Sequence, residues 1–310
     1  MATSLTPARA LPRQFDALTR PRRALALAAR ELKEALLWDL YFSRLPAPKV
    51  KGFVPHWEPE VHRQVVAALA EAGIAVEERE VSVEGYRDYL RRADYARFPR
   101  YYAGGTAPNF AEKSLEHDIA AQLLDLAPGD VYVDVANAYS PVPEIYQDLY
   151  GCRTYRQDLL FPPGLRGNVI GGDAGAMPVP DGFATKMALH CSFEHFEGDA
   201  DSRFIREAAR VLAPGGRLCI VPLYLYTDYA IQTDPATLSL RGLRPDAGAA
   251  VYGARGWRER HGRFYDVPHL TSRVRAFMGD LRLTVYALRN ASQVDRTCYL
   301  KFAAVFEQPR

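Results

Sequence analysis

The sequence predicts an α/β fold over the last two thirds of the chain, and three observations carry that expectation. From Pro128 onward, short apolar runs alternate with amphipathic segments, as helices laid on a parallel sheet require. The run REAARVLAPGGRLCIVPL, Glu207 to Leu223, reads as helix, sharp stop and buried strand. Two apolar runs, LRLTVYAL and RTCYLKFAAVF, then close the chain around a turn holding Asn290 and Ser292.

In order, ALALAARELKEALLWDLYFSRL, from Arg23 to about Leu45, is an amphipathic helix of good formers ended by Pro46 and Pro48. A second helix is expected near Pro59 to Gly73, a strand within Ile74 to Val83, and a short helix from Val83 to about Ala93. The segment RFPRYYAGGTAPNFAEKSLEH, Arg97 to His117, combines aromatics with Gly104, Gly105 and Pro108. It reads as a loop and candidate lid, with Tyr101 and Tyr102 as substrate contacts, leading into a helix whose apolar face is Leu115, Ile119 and Leu123. Strands are expected at 131–135, 153–158, 168–171, 184–189 and 219–223. A helix is expected from Pro143 to Tyr150, stopped by Gly151, and another ending at Pro214-Gly215-Gly216, with Asp199 or Asp201 at its start. A last helix lies near His269 to Met278.

Composition narrows the function. The 310 residues hold 39 Lys plus Arg against 37 Asp plus Glu, so no strong field favours nucleic acid or an anionic membrane. The expected partner is a small molecule, with no nucleic acid and no membrane, and a homo-oligomer is compatible with the sequence. Cys152, Cys191, Cys219 and Cys298 are scattered without a CxxC pair or a histidine at ligand spacing, so no metal site is expected and a reducing, cytoplasmic home is. Arg9, Arg13, Arg20, Arg22, Arg23 and Arg30 read as a solvated tail entering a helix rather than a transit peptide.

The chemistry-bearing residues fall into an ordered set. Asp134 ends the first strand of the alternating region, followed by Ala136, Asn137, Ala138, Tyr139 and Ser140. Asp158 ends the second, about twenty residues beyond that loop, the distance one βα unit needs. GDAGAMPVPDGFATKMALHCSFEHF, Gly172 to Phe196, follows, and then the PGG run. This set resembles the class I methyltransferases that use S-adenosylmethionine (SAM). The Gly172 stretch is similar to that family's GDAxxLPFPDxSFD segment, its fourth strand and its active-site loop.

The resemblance implies a doubly wound, mostly parallel, seven-stranded Rossmann-like sheet with a closing antiparallel hairpin, spanning 111–310, behind a mainly helical N-terminal cap and lid at 1–110. It implies SAM as cofactor, with Asp134 and the positions of Ala136, Ala138 and Ser140 at its methionine end, where the family carries three glycines. Asp158 would take the ribose hydroxyls, Asp173 the adenine amino group, the Ala174 backbone the ring edge, and Met177 the ring face. His190, Glu194 and His195 follow the fourth strand. His190 would face the cofactor, and the imidazole of His195 could accept a proton from a hydroxylated metabolite or glycosyl acceptor. His261, Arg263 and Tyr265, in HGRFYDVPH, stand where related folds carry substrate loops.

Two departures stand beside the likeness: the loop after Asp134 has no glycine, and only about fifteen residues separate Asp158 from Asp173, so the crossover helix must shrink to a turn around Phe161 to Arg166. They leave room for a second reading, a non-catalytic methyltransferase-like binding or assembly protein. A nicotinamide dehydrogenase is a third, without its glycine fingerprint.

Overall fold

A computed structural model describes residue 32 and residues 35–237 and 244–310. The first part of the expected N-terminal helix and the arginine-rich tail lie outside the described residues. Residues 35–43 are helical, and Trp38 and Phe42 stack at 5.1 Å between ring centroids.

Among the described residues, two sheets are formed. The large one has nine strands: β2 (Ala75–Arg79), β3 (Val131–Val135), β4 (Arg153–Asp158), β5 (Gly164–Arg166), β6 (Val169–Gly171), β7 (Ala184–His190), β8 (Leu212–Val221), β12 (Arg282–Leu288) and β13 (Phe302–Glu307). Their spatial order is β2-β12-β13-β8-β7-β3-β4-β6-β5. The seven strands expected from the sequence are contiguous within it, from β12 to β6. Only β13 runs against its neighbours among those seven, which makes the closing hairpin antiparallel. The count of seven is exceeded because each edge gains a strand. β2 adds parallel to β12, and β5 folds back antiparallel on β6.

The strand expected within Ile74 to Val83 forms as β2, and the crossover expected to shrink to a turn does so with a short strand added. The block ahead of residue 110 is not only a helical cap, since its β2 covers an edge that would otherwise expose unpaired backbone groups, and Glu77, Glu78 and Arg79 blunt the new edge with charge. The Asp158 to Asp173 crossover becomes a turn plus the short strand β5. At Gly171 a Cβ atom would lie 2.0 Å from the Pro162 carbonyl oxygen, so only glycine lets the crossover lie against β6.

The helices α1 (Pro59–Glu71), α2 (Val83–Ala93), α3 (Phe110–Leu124), α4 (Val142–Tyr150), α5 (Ala200–Val211) and α6 (Val267–Arg273) flank the sheet. α5 buries Phe204, Ile205, Ala208 and Val211 as its spacing predicts. Asp199 is its N-cap, but its carboxylate bonds Arg203 instead of a backbone amide. The helix gives way to β8 at Leu212, and the Pro214-Gly215-Gly216 stop becomes an irregular start to that strand, with Gly215 at φ 74° and a register shift opposite Ala184 and Lys186. α6 is shorter than expected and is followed by a 3₁₀ turn at Arg275–Phe277.

The second sheet, in the order β1-β10-β9-β11, was not legible beforehand: β1 (Lys49–Lys51), β9 (Ala230–Thr233), β10 (Ala250–Gly253) and β11 (Gly262–Phe264) are each three or four residues long. It draws the N-terminal segment onto the 222–266 region. Phe42 lies directly over Gly253, where a Cβ atom would sit 2.4 Å from its ring. No described helix is long and apolar enough to cross a membrane.

Candidate active site

The carboxyl ends of β3 and β7 open into a cavity of about 770 Å³. In open α/β sheets this end is where ligands bind, because loops there can diverge around a crevice. Its walls are the loop from Ala136 to Ser140, the loop from Cys191 to His195, the Arg100–Tyr102 lid, and the face of α3 carrying Lys113, Glu116 and His117.

The loop after Asp134 turns through left-handed backbone at two of the three positions where the resemblance places glycine, and at Tyr139 rather than Ser140. Ala136 (φ 52°), Ala138 (φ 46°) and Tyr139 (φ 65°) are all left-handed, a conformation costing a non-glycine residue roughly 1–2 kcal/mol. Tyr102, Ala103 and Cys191 share it, so strained residues gather at or beside this cavity. Asp134 is buried at the loop's base and accepts hydrogen bonds from the Tyr132 hydroxyl (2.8 Å) and Asn137 Nδ2 (2.5 Å). Burial pushes its carboxyl up to about 7, against the pull of those two bonds.

His190, at the end of β7, is 3.2 Å from the Tyr132 hydroxyl and 3.4 Å from Asp134 through Nε2. Burial, with Lys113 adding to it, lowers His190 to about 3, so the ring is neutral. Its edge meets His117 at 4.8 Å between centroids. His117 in turn bonds Tyr95 (2.6 Å) and the lid residue Tyr101 (3.2 Å), joining lid and cavity floor.

The loop after β7 holds a carboxylate and an imidazole together. His195 Nδ1 donates to the His261 carbonyl at 2.5 Å, and His261 Nδ1 donates to the Glu194 carbonyl at 3.0 Å. This leaves His195 Nε2 as the acceptor nitrogen, 3.6 Å from Glu194 Oε1. Glu194 is only 4% exposed; its Oε1 accepts from the Cys191 thiol at 3.2 Å.

The polar face of α3 was missed in the sequence, where Leu115, Ile119 and Leu123 fixed attention on the opposite side. Glu112, Lys113, Glu116 and His117 recur at i, i+3 and i+4, a pattern that reads equally well as a solvated face. The lid buries it instead. Lys113 Nζ bonds Glu116 Oε1 at 2.6 Å, while Glu112 accepts from the Tyr299 amide at 2.9 Å. Burial raises the Glu116 carboxyl well above the ordinary range; it also opposes the charge on Lys113, but acidic neighbours, the hydrogen-bonded Glu116 among them, outweigh it and raise that ammonium. Around the same cavity, Glu116 Oε2, Asn137 Oδ1, His190 Nδ1, Ser192 Oγ and Glu194 Oε2 are buried without a protein partner among the described residues. Unpaired buried polar atoms are costly, and this ring of them fits a polar ligand.

Asp158, Asp173, Ala174 and Met177 are not among the residues that line this cavity. Asp158 accepts from the amides of Ala138 (2.8 Å) and Leu160 (2.9 Å), one to each oxygen, which leaves a lone pair on each. Beside it, Tyr139 meets Phe161 edge-on at 5.4 Å. Asp173 is bonded to Arg203 (2.5 Å) and the Gly175 amide (2.8 Å); burial raises its carboxyl, but these bonds prevail and lower it. Ala174 and Met177 are buried in the main core. Among the residues expected at the substrate, Tyr101 and Tyr102 line the cavity, whereas His261, Arg263 and Tyr265 do not. Arg263 is fully sealed, donating to Asp246 (2.8 Å) and the carbonyls of Phe196 (2.6 Å) and Gly198 (3.0 Å), 3.0 Å from Asp201. Tyr265 donates to the same Asp201 at 2.7 Å. These three side chains brace the loop that carries Glu194 and His195, because a guanidinium with no water must spend its donors on protein acceptors.

A family model described as a methyltransferase domain matches residues 153–220, from β4 to within β8. No curated protein matches the chain in sequence. Among solved structures, the chain is similar to the Burkholderia thailandensis 1,6-didemethyltoxoflavin-N1-methyltransferase, solved with 1,6-didemethyltoxoflavin and S-adenosylhomocysteine, at 14% identity and a TM-score of 0.45, over 76% of this chain and 94% of that one. It is similar also to a structure of the complex between a Haloferax volcanii methyltransferase activator and a putative methyltransferase, at 13% identity and 0.43, over 73% and 98%. A SAM-dependent methyltransferase from Aquifex aeolicus gives 12% and 0.39, over 69% and 97%.

Proposed function

We propose that this chain, whose residues 153–220 match a methyltransferase-domain model, is a SAM-dependent methyltransferase that methylates a hydroxyl of a small polar acceptor held in the 770 Å³ cavity, with His195 taking the proton. The observation that carries this reading is the hydrogen bond from His195 Nδ1 to the His261 carbonyl, which points the basic Nε2 away from the backbone and toward Glu194. A protonated His195 is stabilised by that carboxylate; a hydroxyl within reach of Nε2 loses its proton as it becomes a nucleophile, an assistance worth about 10²–10⁴-fold.

The residues present fit SAM. Asn137 Oδ1, His190 Nδ1 and Ser192 Oγ, buried and unpartnered, stand where an amino-acid moiety brings donors and acceptors. Asp134 and the Ala136, Ala138 and Ser140 backbone would hold that end and Asp158 the ribose through its remaining lone pairs, whereas Asp173 is taken up by Arg203 and Ala174 and Met177 by the core. When bound, SAM supplies a methyl group on a positively charged sulfur. The protein's share is to orient the acceptor, exclude water beneath the Tyr101–Tyr102 lid and remove the proton. Residues 111–310 are the catalytic domain in this reading, and the preceding block supplies the lid. A small-molecule acceptor suits a cavity of about 770 Å³ better than nucleic acid.

The Tyr139–Phe161 contact and the backbone partners of Asp158 favour a second reading, a binding protein that has lost the cofactor. Calorimetric titration with SAM and with S-adenosylhomocysteine separates the two. Micromolar binding, weakened at least tenfold by Asp158→Ala, supports the enzyme; absence of heat at millimolar SAM sinks it.

A further inference from the structure

A second cavity of about 220 Å³ adjoins the first and shares Glu194, Tyr224, Trp257 and Tyr299 with it. At about 30 Å³ per water it has room for roughly seven waters, or one compact organic group. Nothing in the methyl-transfer chemistry described above uses it.

Its walls are aromatic. Trp57, Trp257, Tyr224, Tyr299 and Phe264 surround it, and His56 touches four aromatic neighbours at ring-centroid distances of 5.1–6.1 Å. Burial, with the charge of Lys301 adding to it, lowers His56 to about 3, so this imidazole brings no positive charge. No lysine or arginine is among the described residues lining the space. The nearby Lys113 ammonium, 5.9 Å from the Tyr299 ring, is bonded to Glu116 in the larger cavity. Trp257 is set in place by Gly262, where a Cβ atom would come within 2.4 Å of the indole.

One carboxylate stands in the wall between the two spaces. Glu194 is buried, its Oε1 is held by the Cys191 thiol, and its Oε2 has no partner among the described residues. A neutral aromatic guest would fill the volume and leave that oxygen unpaired. A cation meets both demands: aromatic faces attract it through their quadrupoles, most strongly the two indoles, and the carboxylate supplies the countercharge.

We propose that the aromatic side chamber is the binding site for an alkylammonium group of the methyl acceptor, held by the faces of Trp57 and Trp257 and by Glu194. The acceptor is then a small hydroxylated amine whose charged end anchors in the chamber while its hydroxyl lies in the larger cavity near His195. The word acceptor rests on the methyl-transfer reading; the cation site does not.

The test uses the full chain without SAM, so a failure of cofactor binding leaves it intact. Choline and its neutral carbon isostere, 3,3-dimethyl-1-butanol, are titrated at constant ionic strength, with tryptophan fluorescence and calorimetry as readouts. Choline is expected to bind at least tenfold more tightly than the isostere. Glu194→Gln should cut that preference at least threefold, leaving the share due to the indoles, with isostere binding unchanged, which also reports that the variant is folded, and Trp257→Leu should weaken both ligands. Equal binding of the two ligands, binding of neither, tighter binding of phenol than of choline, or a preference undiminished by Glu194→Gln would each overturn the proposal.

Discussion

The imidazole of His195 donates through Nδ1 to the backbone carbonyl of His261 at 2.5 Å, and the imidazole of His261 returns a bond to the carbonyl of Glu194 at 3.0 Å. Two histidines 66 positions apart thus fix one another's neighbourhoods. The exchange ties the loop after β7 to β11 and leaves one ring nitrogen, His195 Nε2, free to accept a proton at the cavity wall.

His195→Ala is expected to reduce turnover by about a hundredfold or more, with little change in SAM affinity, because it removes proton acceptance but no cofactor contact. Single-turnover rates on an identified acceptor, beside calorimetry with SAM, read the two effects separately. An unchanged rate would take His195 out of the mechanism.

Arg263→Met should destabilise the fold by about 3–5 kcal/mol, since it leaves Asp246 with only the Tyr229 hydroxyl among the described residues, removes one of the two guanidiniums at Asp201 and takes a donor from the carbonyls of Phe196 and Gly198. Urea denaturation measures this. A variant of ordinary stability with a raised KM would instead place Arg263 at the substrate.

Ala138→Gly is expected to stabilise the protein by up to about 1 kcal/mol, against the usual sign for this exchange. The native φ of 46° strains alanine but not glycine, and that relief exceeds the extra entropy glycine gives the unfolded chain. A lower denaturation midpoint for the glycine variant would contradict the left-handed loop.

Asp134 sets a pH dependence of stability. Its carboxyl rises from an ordinary 3.8 to about 7 on folding, so between those values the folded chain holds a proton that the unfolded chain has released. The associated stability is complete below about 3.8 and is lost as pH rises through about 7. Glu112, which burial also pushes up to about 7, acts in the same direction. Asp134→Asn should therefore reduce, without abolishing, the fall in melting temperature between pH 5 and pH 8. An identical fall in both proteins would rule out Asp134 as a source.

Much of the α/β framework was legible because its signals are local. The run VYVDV at 131–135 is β-rich, and RTYRQD at 153–158 lies between the turn residue Gly151 and the Pro162-Pro163 pair; both form strands over those residues. The helix at 83–93 likewise follows its amphipathic spacing and its Ser82 cap. Asp134, the small-residue loop, His190, Glu194 and His195 could be picked out because they sit at the ends of such strands.

The remainder depended on distant partners. Strands of three or four residues, such as β1 and β11, have no period long enough to read, and they exist because the second sheet brings 49–51 and 262–264 around β9 and β10. By itself the sequence located the sheet's seven inner strands along the chain and the acids Asp134 and Asp158 at the ends of two of them, since periodicity and strand-end chemistry are written in neighbouring residues. Tertiary structure alone decided that the polar face of α3 is buried, that Arg263 is a brace, and that Trp57 and Trp257 face one chamber with Glu194. Those outcomes turn on which surface the folded chain removes from water, and a residue's burial is set by segments far from it in sequence.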